Sequence, residues 1–562
     1  MDPVIVVGAG PVGLALSLAL ADQGVPCVLL DEGPGKEEPR PARTVVLRPD
    51  TAAQLERLGC ATLRDEGVRW TGWRSMRRRQ EVRCLDLGED GAHAPLHIPQ
   101  QALARGLRDA AALHDLVHVV ADSRLDSLEQ DVSGISVHTR GPESTWWRGS
   151  YLVGCDGARS TVRKLLGVRF PGRTAVERHA VAALRTELPW PEEALLHRQP
   201  PWRTGGPEVA ARPLPDDVWR LDWLLPPRGE LVTPDALVAR VRDTLAGWCG
   251  ETPPYDLLDT GVYTLHHRLA RRWRVDRAFL AGDAAHLLGA VGAQGLDEGL
   301  RDADNLAWKL AQVWHHGPSE QLLDSYQAER RTAVAARLRA ADQSLPILRG
   351  SGALRTRLPG VARGHDSLLA DGHLGRGALG APPVYTHSPL APEYAPSQTL
   401  VGTEAGAPVE DVVVTAPDGS STRLRARLGR GRLLVVLVAP GTGVWDRRHW
   451  MSAGIMPRLA AAVTALPVRA ELLVTESYPE ASAHTVLLVR PDGHLVAAFT
   501  GVRPAELYSA ADAARGGAPS SSSSPTGPAA PRSPADSAPA SSSASSSASS
   551  SASASASSSG SG

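Results

Sequence analysis

The sequence predicts a multidomain α/β protein whose amino-terminal part is built on a parallel β-sheet. Its 562 residues exceed what one hydrophobic core usually organises, at about 100 to 200 residues per domain. Residues 4–7 and 25–30 are short apolar runs of strand type, and a glycine-rich turn and an apolar helical segment separate them. Strands that lack polar alternation are buried on both faces, so these segments predict a β-α-β unit of a parallel sheet.

Later segments predict that the chain leaves this sheet and returns to it twice. The predicted elements of the returning segments are helices at 51–58, 100–113 and 296–315 and strands at 151–154 and 278–280. The last helix repeats apolar residues at helical spacing and ends before Gly317. Residues 70–97 and the proline-punctuated strands of 176–265, clearest at 218–225, predict a different, antiparallel layer that covers a ligand.

The composition excludes several classes of partner and site. Lys and Arg number 60 against 61 Asp and Glu, so no global positive field favours nucleic acid or an anionic membrane surface. The five cysteines are scattered without a Cys-x-x-Cys pair, which argues against a disulfide framework and a thiolate zinc site. We expect no bound metal, no export signal and no membrane span, and therefore a cytoplasmic protein.

A dinucleotide-binding fingerprint lies between the first strand and the first helix. Gly8, Gly10 and Gly13 have the spacing of G-x-G-x-x-G, with Pro11 in the same turn. The first glycine permits the tight turn, the second lets the backbone approach a pyrophosphate, and the third lets helix pack on strand. The helix amino terminus then faces the phosphates with unpaired N–H groups.

The carboxylate that would complete this site follows the second strand. Asp31 stands where it can accept hydrogen bonds from both hydroxyls of the adenosine ribose. Glu32 is the alternative if the register differs by one residue. The sequence therefore predicts a bound dinucleotide without deciding which one.

Three blocks of sequence carry a more specific resemblance. They are VIVVGAGPVGLALSLALADQGVPCVLLDEG, YLVGCDGARSTVRKLLG, and FLAGDAAH followed by GAQGLDEGLRDADNLAWKLA. Together they resemble the class A flavoprotein aromatic hydroxylases, typified by para-hydroxybenzoate hydroxylase and phenol hydroxylase, and especially the branch acting on aromatic polyketides. The resemblance covers residues 1–345. It implies an FAD-dependent monooxygenase that uses NAD(P)H and O2 to hydroxylate a phenolic or polycyclic aromatic substrate through a flavin C4a-hydroperoxide.

The resemblance also implies a domain organisation. A Rossmann-like FAD-binding domain comprises residues 1–71, 96–175 and 266–390, and an inserted antiparallel-sheet substrate domain comprises 72–95 and 176–265. The single dinucleotide fingerprint argues against flavoproteins that bind NADPH in a second Rossmann domain.

The carboxy-terminal part resembles another module. Residues 395–510 resemble the thioredoxin-like domain of phenol hydroxylase relatives, with LLVVLVAP and VLLVRPDGHLVAAF as matching strands. Residues 441–444 contain no cysteine where thioredoxin keeps its dithiol, so we expect a structural or oligomer-contact role. Residues 516–562, nearly all Ser, Ala, Pro and Gly, are expected to be a disordered tail.

Residues of the first half match family contacts to FAD. By this similarity, Arg43 and Gln100 fall where the family contacts the FAD phosphate and ribityl groups. Asp156 and Gly157 match the motif implicated in contacts to FAD and NAD(P)H, with Arg163 nearby as a phosphate partner. Asp156 could instead cap the helix that follows it.

Residues of the third block match the flavin side of the site. Gly282 and Asp283 match the motif whose carboxylate holds a ribityl hydroxyl, although Asp283 could also cap a turn. The turn beside the isoalloxazine is matched by Gly292, Gln294, Gly295 and Leu296. The amino terminus of the following helix offers N–H groups and a positive dipole to the negative charge of reduced flavin.

Two departures from the family pattern lie in this turn. Gly289 and Ala290 replace a usual pair of prolines, which predicts a looser loop. Asp297 replaces an asparagine and could put a carboxylate near the ring. These departures leave open two alternatives to aromatic hydroxylation. One is Baeyer-Villiger or epoxidising chemistry on the same scaffold, and the other is an FAD-binding accessory protein without oxygenase activity.

The substrate side offers candidates but no assignment. A base that ionises a phenol would activate the ring, and the candidates are His266, His267, Asp222 and Tyr263. The tryptophans at 219 and 223 could form an apolar pocket or fill a core. We expect a small aromatic molecule and O2 as partners, and a monomer or a homodimer.

Overall fold

The computed structural model describes most of the chain. It covers residues 1–35, 40–88, 94–142, 144–202, 204, 206–225, 232–289, 295–349, 359–441, 452 and 454–517. Side chains are described at all of these positions except 175–177, 344–349 and 359–366. The predicted tail lies outside the described residues from position 518 onward, and so do Ala290, Gly292 and Gln294 of the predicted flavin turn.

A six-stranded sheet holds the amino-terminal region together. Its strands, in spatial order, are β18 (Arg274–Val275), β19 (Ala278–Leu280), β12 (Tyr151–Gly154), β1 (Val4–Val7), β2 (Cys27–Leu30) and β8 (Val117–Val120). Strand β1 is parallel to both β2 and β12, and all of its residues are buried, as the sequence predicts for a strand covered on both faces. Since β12 is also parallel to β19, the carboxyl ends of these strands meet at one edge of the sheet.

Helices cover this sheet and connect it to the rest of the chain. The described α-helices are α1 (Pro11–Ala21), α2 (Pro49–Arg57), α3 (Gln100–Ala112), α4 (Thr161–Leu165), α5 (Pro234–Cys249), α6 (Gly295–His316), α7 (Glu320–Tyr326), α8 (Thr332–Arg349), α9 (Pro359–Leu374), α10 (Gly377–Gly380), α11 (Met456–Thr464) and α12 (Pro504–Ala514). The predicted helices at 51–58, 100–113 and 296–315 are confirmed as α2, α3 and α6 with small shifts of their ends. Helix α1 packs against α3 and α6. None of the helices within the described ranges is long and apolar enough to cross a membrane.

A second, eight-stranded sheet is assembled from distant segments. In spatial order its strands are β20 (His286–Leu287), β17 (Asp256–Leu269), β13 (Gly172–Arg185), β16 (Val218–Leu225), β15 (Glu208–Pro213), β14 (Glu193–Arg198), β5 (Gly72–Arg77) and β6 (Gln80–Asp86). Neighbours are antiparallel except β14 and β5. The prediction that residues 70–97 supply strands to a different sheet is confirmed for β5 and β6.

Two small sheets complete this part of the molecule. One contains β3 (Thr44–Leu47), β7 (Leu96–Pro99) and β4 (Val68–Arg69), and the other contains β11 (Thr145–Gly149), β10 (Ile135–Arg140) and β9 (Arg124–Gln130). Strand β7 therefore does not join the eight-stranded sheet that β5 and β6 enter. Its pairing with β3 brings Thr44 opposite Pro99, beside Arg43 and Gln100.

The carboxy-terminal region forms a third large sheet. Its order is β22 (Ser421–Arg423), β21 (Val413–Thr415), β24 (Ala470–Thr475), β23 (Leu433–Val438), β25 (Thr485–Val489) and β26 (Leu495–Thr500). Strand β23 is parallel to β24 and antiparallel to β25, which forms a hairpin with β26. The two segments expected as strands, LLVVLVAP and VLLVRPDGHLVAAF, form β23 and the β25–β26 hairpin.

Buried charges join this third sheet to helix α6. Arg490, just after β25, donates to both carboxylate oxygens of Glu329, at 2.6 and 2.9 Å, and also to Asp492. Glu329 accepts a further bond from Lys309 of α6 at 2.7 Å. Asp492 accepts bonds from Asn305 and from the indole of a neighbouring tryptophan on α6. Helix α6 is therefore held at its middle by the carboxy-terminal region.

Asp304, also on α6, predicts that the stability of the protein depends on pH. Burial raises the pKa of Asp304 to about 6, against the attraction of Arg57, whose guanidinium lies 3.8 Å away. The carboxyl group of Asp304 therefore binds its proton more tightly in the folded protein than in the unfolded chain. For this reason the free energy of unfolding should fall as pH rises from about 4 to 6. We expect Asp304→Asn to remove that fall and to add about 1–2 kcal/mol at pH 7, measured by thermal unfolding. Asp65→Asn, at an exposed position, is the control, and an unchanged pH profile in Asp304→Asn would contradict the assignment.

Candidate functional site

The glycine-rich turn between β1 and α1 forms one wall of a deep cleft. Gly8 has φ of 105°, and a Cβ there would lie 2.5 Å from the carbonyl oxygen of Cys155. A Cβ on Gly13 would lie 2.0 Å from the carbonyl oxygen of Gly8, so helix and turn touch at this point. A Cβ on Gly10 would meet nothing within 4 Å. The fold itself requires glycine at positions 8 and 13, whereas Gly10 borders open space at the start of α1.

The cleft beside this turn brings distant parts of the sequence together. It has a volume of about 350 Å³, and its walls include residues 8–10, 31–35 and 155–157. Helix α1 begins at Pro11 without a side-chain cap, so its first amides are free to face the cleft. Open space at Gly10 and uncapped helical amides suit a pyrophosphate, so the residues present fit the dinucleotide part of FAD.

The two candidate ribose ligands differ in their surroundings. Asp31 accepts backbone N–H bonds from Ala9 at 2.6 Å and from Gly33 at 2.8 Å, which orients its carboxylate at the cleft wall. Glu32 is largely exposed and lies 3.9 Å from the guanidinium of Arg124. The geometry therefore favours Asp31 as the ribose ligand, and the assignment stays a prediction.

Matched substitutions test the choice between these two carboxylates. We expect Asp31→Asn to weaken FAD binding about tenfold, because an amide cannot accept both backbone N–H bonds and a ribose hydroxyl as a carboxylate does. Glu32→Gln should leave affinity within about twofold. Titration of FAD into flavin-free protein, followed by flavin fluorescence, measures both. The reverse order of effects would assign the role to Glu32.

The motif around Asp156 shows a structural role. Asp156 accepts backbone bonds from Thr161 and Val162 at the start of α4, so the capping alternative is realised. Its other carboxylate oxygen is buried without a hydrogen-bond partner, and Gly157 borders the cleft. The guanidinium of Arg163 donates to the carbonyls of Ala158 and Ala284 instead of standing free for a phosphate.

Asp283 lies at the far end of β19, close to the start of α6. The residue is exposed to solvent, although protein atoms surround it closely. This partial burial raises the pKa of Asp283, and the nearby His286 lowers that pKa by less. Among the residues that the structure describes, none makes a hydrogen bond to this carboxylate. Gly282 has φ of 60°, and a Cβ there would lie 3.1 Å from the side chain of Val12. Gly295 and Leu296 are the first two residues of α6. A partnerless carboxylate at the helix start fits a ribityl hydroxyl.

Gly289 and Asp297, the two departures that the structure describes, each contact specific neighbouring residues. A Cβ on Gly289 would lie 2.7 Å from the Nε2 atom of His267, so the larger residue usual in the family would require the histidine to move. Asp297 is fully buried and accepts bonds from the backbone of Arg48 and the hydroxyl of Thr51. Its carboxylate thus belongs to the contact between α6 and α2.

A second cavity, of about 500 Å³, lies between the eight-stranded sheet and the start of α3. The predicted FAD contacts Arg43 and Gln100 both border it. The backbone N–H of Gln100 donates to the backbone carbonyl of Arg43 at 2.9 Å. Polar side chains of the second sheet line the opposite wall; they include His179, Glu208, Arg212, Arg220, Asp222 and Tyr263. The volume lies within the range of roughly 300–1,000 Å³ typical of small-molecule sites.

Two of the four candidate bases line this cavity and two do not. Asp222 and Tyr263 line it, and the hydroxyl of Tyr263 donates to Asp222 at 2.8 Å. His266 contacts Thr174, and His267 lies 3.4 Å from Asp342. Neither of these two histidines is among the residues lining the cavity.

The tryptophans of β16 face away from the cavity. Trp219 and Trp223 pack with Leu237 and Val241 of α5 in a hydrophobic cluster. Asp222 and Arg220 alternate with them along the strand and face the cavity instead. Of the two alternatives that the sequence left open for these tryptophans, the structure shows core filling.

The sequence analysis missed four polar residues of this wall, and His179 is the one of them that contacts both Asp222 and Tyr263. Its Nδ1 atom lies 2.6 Å from a carboxylate oxygen of Asp222, and its ring stacks on Tyr263 with 5.2 Å between the ring centres. Positions 179, 222 and 263 are far apart in the chain, and the pairing of β13 with both β16 and β17 brings them together. No local pattern around position 179 signals this contact.

Known proteins resemble this chain in sequence and in fold. The family model described as FAD binding domain matches residues 1–341. A 3-(3-hydroxy-phenyl)propionate/3-hydroxycinnamic acid hydroxylase of Paraburkholderia xenovorans is 32% identical over 342 residues, which are 58% of this chain and 52% of that protein. The chain thus spans about half the length of that curated relative.

Two solved structures align over nearly their whole lengths. The flavin-dependent monooxygenase PieE, solved with FAD and substrate, has a TM-score of 0.74 at 20% identity, covering 91% of this chain and 98% of its own. The anhydrotetracycline hydroxylase OxyS of Streptomyces rimosus has a TM-score of 0.64 at 26% identity, covering 92% of this chain and 99% of its own.

Proposed function

Because the chain belongs to the FAD binding domain family, we propose that it is an FAD-dependent monooxygenase that hydroxylates a phenolic or polycyclic aromatic substrate with NAD(P)H and O2. The observation that carries the proposal is the second cavity, which both predicted flavin contacts, Arg43 and Gln100, border. When bound, FAD supplies the electron transfer and oxygen activation. The protein then has to bind and orient the aromatic ring and exclude water.

The residues that would hold FAD lie in the cleft, at the start of α6 and beside the second cavity. Gly10 and the first amides of α1 would bind the pyrophosphate, and Asp31 would bind the adenosine ribose. Asp283 would accept a hydrogen bond from a ribityl hydroxyl, and Gly295 and Leu296 at the start of α6 would contact the flavin ring. Arg43 and Gln100, which border the second cavity, would contact the cofactor from that side.

The walls of the cavity support a polar aromatic substrate. Four arginines border it, at positions 40, 43, 212 and 220, against the carboxylates of Glu208 and Asp222. An excess of positive charge favours a ring that carries acidic hydroxyl groups. The matched proteins include hydroxylases named for a hydroxyphenyl acid and for anhydrotetracycline, which are phenolic compounds of one and several rings.

Purified protein tests the proposal directly. We expect a flavin visible spectrum, and NAD(P)H oxidation that 3-(3-hydroxyphenyl)propionate or anhydrotetracycline stimulates. Mass spectrometry under 18O2 should show one labelled oxygen in the product. Bound FAD that NAD(P)H never reduces would instead support the accessory role. Oxygen inserted beside a ketone, or an epoxide, would support the other alternative.

We infer that the carboxy-terminal region is a thioredoxin-like module with a structural role. The order β24-β23-β25-β26, with one parallel and two antiparallel pairings, supports this inference. Residues 442–444, where the dithiol would stand, lie outside the described residues, and the sequence has no cysteine there. The contacts of Arg490 and Asp492 with α6 supply the structural role.

A further inference from the structure

His179 lines the substrate cavity and has one ring nitrogen without a hydrogen-bond partner. The residue is 7% exposed, and its Nε2 atom is buried without a hydrogen-bond partner. The other ring nitrogen, Nδ1, lies 2.6 Å from Asp222. A buried polar atom without a partner costs stability unless a ligand satisfies it. This atom therefore points to a hydrogen-bonding ligand in the cavity.

Asp222 determines which nitrogen of His179 carries the proton. It accepts bonds from Tyr263 at 2.8 Å and from Arg220 at 3.3 Å, and Arg212 lies 3.7 Å away. Burial opposes its charge, but His179 and the two arginines together hold the pKa of Asp222 well below its usual range. A carboxylate that stays ionised accepts the Nδ1 proton, which leaves the lone pair of Nε2 free to accept a hydrogen bond.

The other polar groups facing His179 are less suited to take a proton. Tyr263 already donates its hydroxyl to Asp222, and burial raises its pKa. Asp222 is engaged by the four side chains around it. Glu208 on β15 also faces His179, and burial raises its pKa as well, so it is the competing acceptor that an experiment must separate.

We propose that His179 is the general base that removes the proton from a phenolic hydroxyl of the bound substrate, with Asp222 and Tyr263 positioning its ring. The proposal rests on the proposed function and narrows the substrate class to phenols. In this step the phenol O–H bond breaks, its electron pair stays on oxygen, and an N–H bond forms at Nε2. No oxidant or reductant takes part.

Two arginines are placed to stabilise the phenolate that results. The Nη1 atom of Arg212 and the Nε atom of Arg220 are buried without hydrogen-bond partners among the described residues. Both side chains line the cavity together with His179. The imidazolium formed at His179 is in turn compensated by Asp222, which is the role of the carboxylate in an aspartate–histidine pair.

Binding of 4-nitrophenol to the FAD-loaded protein tests the base without turnover. Its phenol and phenolate forms differ in visible absorption, so difference spectra over a pH series give the ionised fraction of the bound probe. We expect the wild-type protein to hold the probe as phenolate about one pH unit below the free compound, a tenfold change in the ionisation ratio. We expect His179→Gln to abolish that shift and Asp222→Asn to reduce it.

Two control variants make the result specific. His266→Gln changes a histidine of the same sheet that does not line the cavity, and it should behave as wild type. Glu208→Gln should retain most of the shift. An unchanged shift in His179→Gln, or a shift lost in Glu208→Gln but kept in His179→Gln, would overturn the proposal.

The probe experiment and the oxygenation assay fail independently. A phenolate shift that depends on His179, without any labelled product, would reject the oxygenase function and keep the base. A labelled product whose formation has the same pH profile in wild type and His179→Gln would keep the function and reject the base.

Discussion

Replacing Gly10 with valine should leave the protein folded and abolish FAD binding. A Cβ at this position meets nothing within 4 Å, and its φ of −71° suits any residue. The branched side chain would then occupy the space at the start of α1 where the pyrophosphate must approach the backbone. We expect the dissociation constant for FAD to rise at least about 100-fold, which corresponds to about 2.7 kcal/mol. The unfolding free energy should change by no more than about 1 kcal/mol.

Gly13→Val is the matched comparison. Its side chain would collide with the carbonyl oxygen of Gly8, 2.0 Å from the Cβ, so this variant should lose about 1–3 kcal/mol of stability as well as FAD. Thermal unfolding and FAD titration of both variants give the two quantities. If Gly10→Val bound FAD like the wild type, the pyrophosphate site would have to lie elsewhere.

Replacing Arg490 with methionine should cost about 3–5 kcal/mol of stability, because it leaves buried carboxylates uncompensated. Arg490 donates to both carboxylate oxygens of Glu329 and to both of Asp492, and all three side chains are buried. The guanidinium keeps the pKa of each carboxyl below its usual range, against the effect of burial. Without it, Glu329 keeps its salt bridge to Lys309, whereas Asp492 keeps the contact with His494 and the bonds from the neutral donors on α6. Calorimetric unfolding of the FAD-loaded protein measures the loss.

Two further variants show whether the loss comes from buried charge. Arg64→Met removes an exposed arginine that pairs with Glu56, and such surface pairs contribute about 0–1 kcal/mol. The double variant Arg490→Met with Glu329→Met removes both partners and should recover part of the stability. An Arg490→Met protein as stable as Arg64→Met would show that the carboxy-terminal region is not held to α6 by this pair.

Local patterns were sufficient to predict the elements that build the cofactor cleft. The β1 strand, the glycine turn and α1 are contiguous, so hydrophobic periodicity and the backbone freedom of Gly8 specify them together. Helix α6 is long and strongly periodic, so its position was also predictable. The ends of these elements were predicted less well than their existence, because helix ends depend on capping contacts.

Roles that depend on a side chain's neighbours were not decided by local patterns. The sequence left Asp156 open between a ligand and a cap; the backbone amides of α4 show that it caps this helix, and its contact with FAD stays a prediction. It left Trp223 open between a pocket and a core, and the face of β16 that packs on α5 decided for the core. The partner that decides the role of Trp223 lies on α5, which only the three-dimensional fold brings to that face, whereas the amides that Asp156 caps are five and six residues further along the chain.

The sequence by itself determined the β-α-β unit and its glycine turn, because these depend on residues within a few turns of one another. Three separate motifs, each local in itself, also identified the family to which the first 345 residues are similar. The tertiary structure alone decided that His179, Asp222 and Tyr263 share one wall of a cavity. That wall depends on the register of three strands paired across long stretches of chain, and a shift of one residue would turn each side chain to the opposite face.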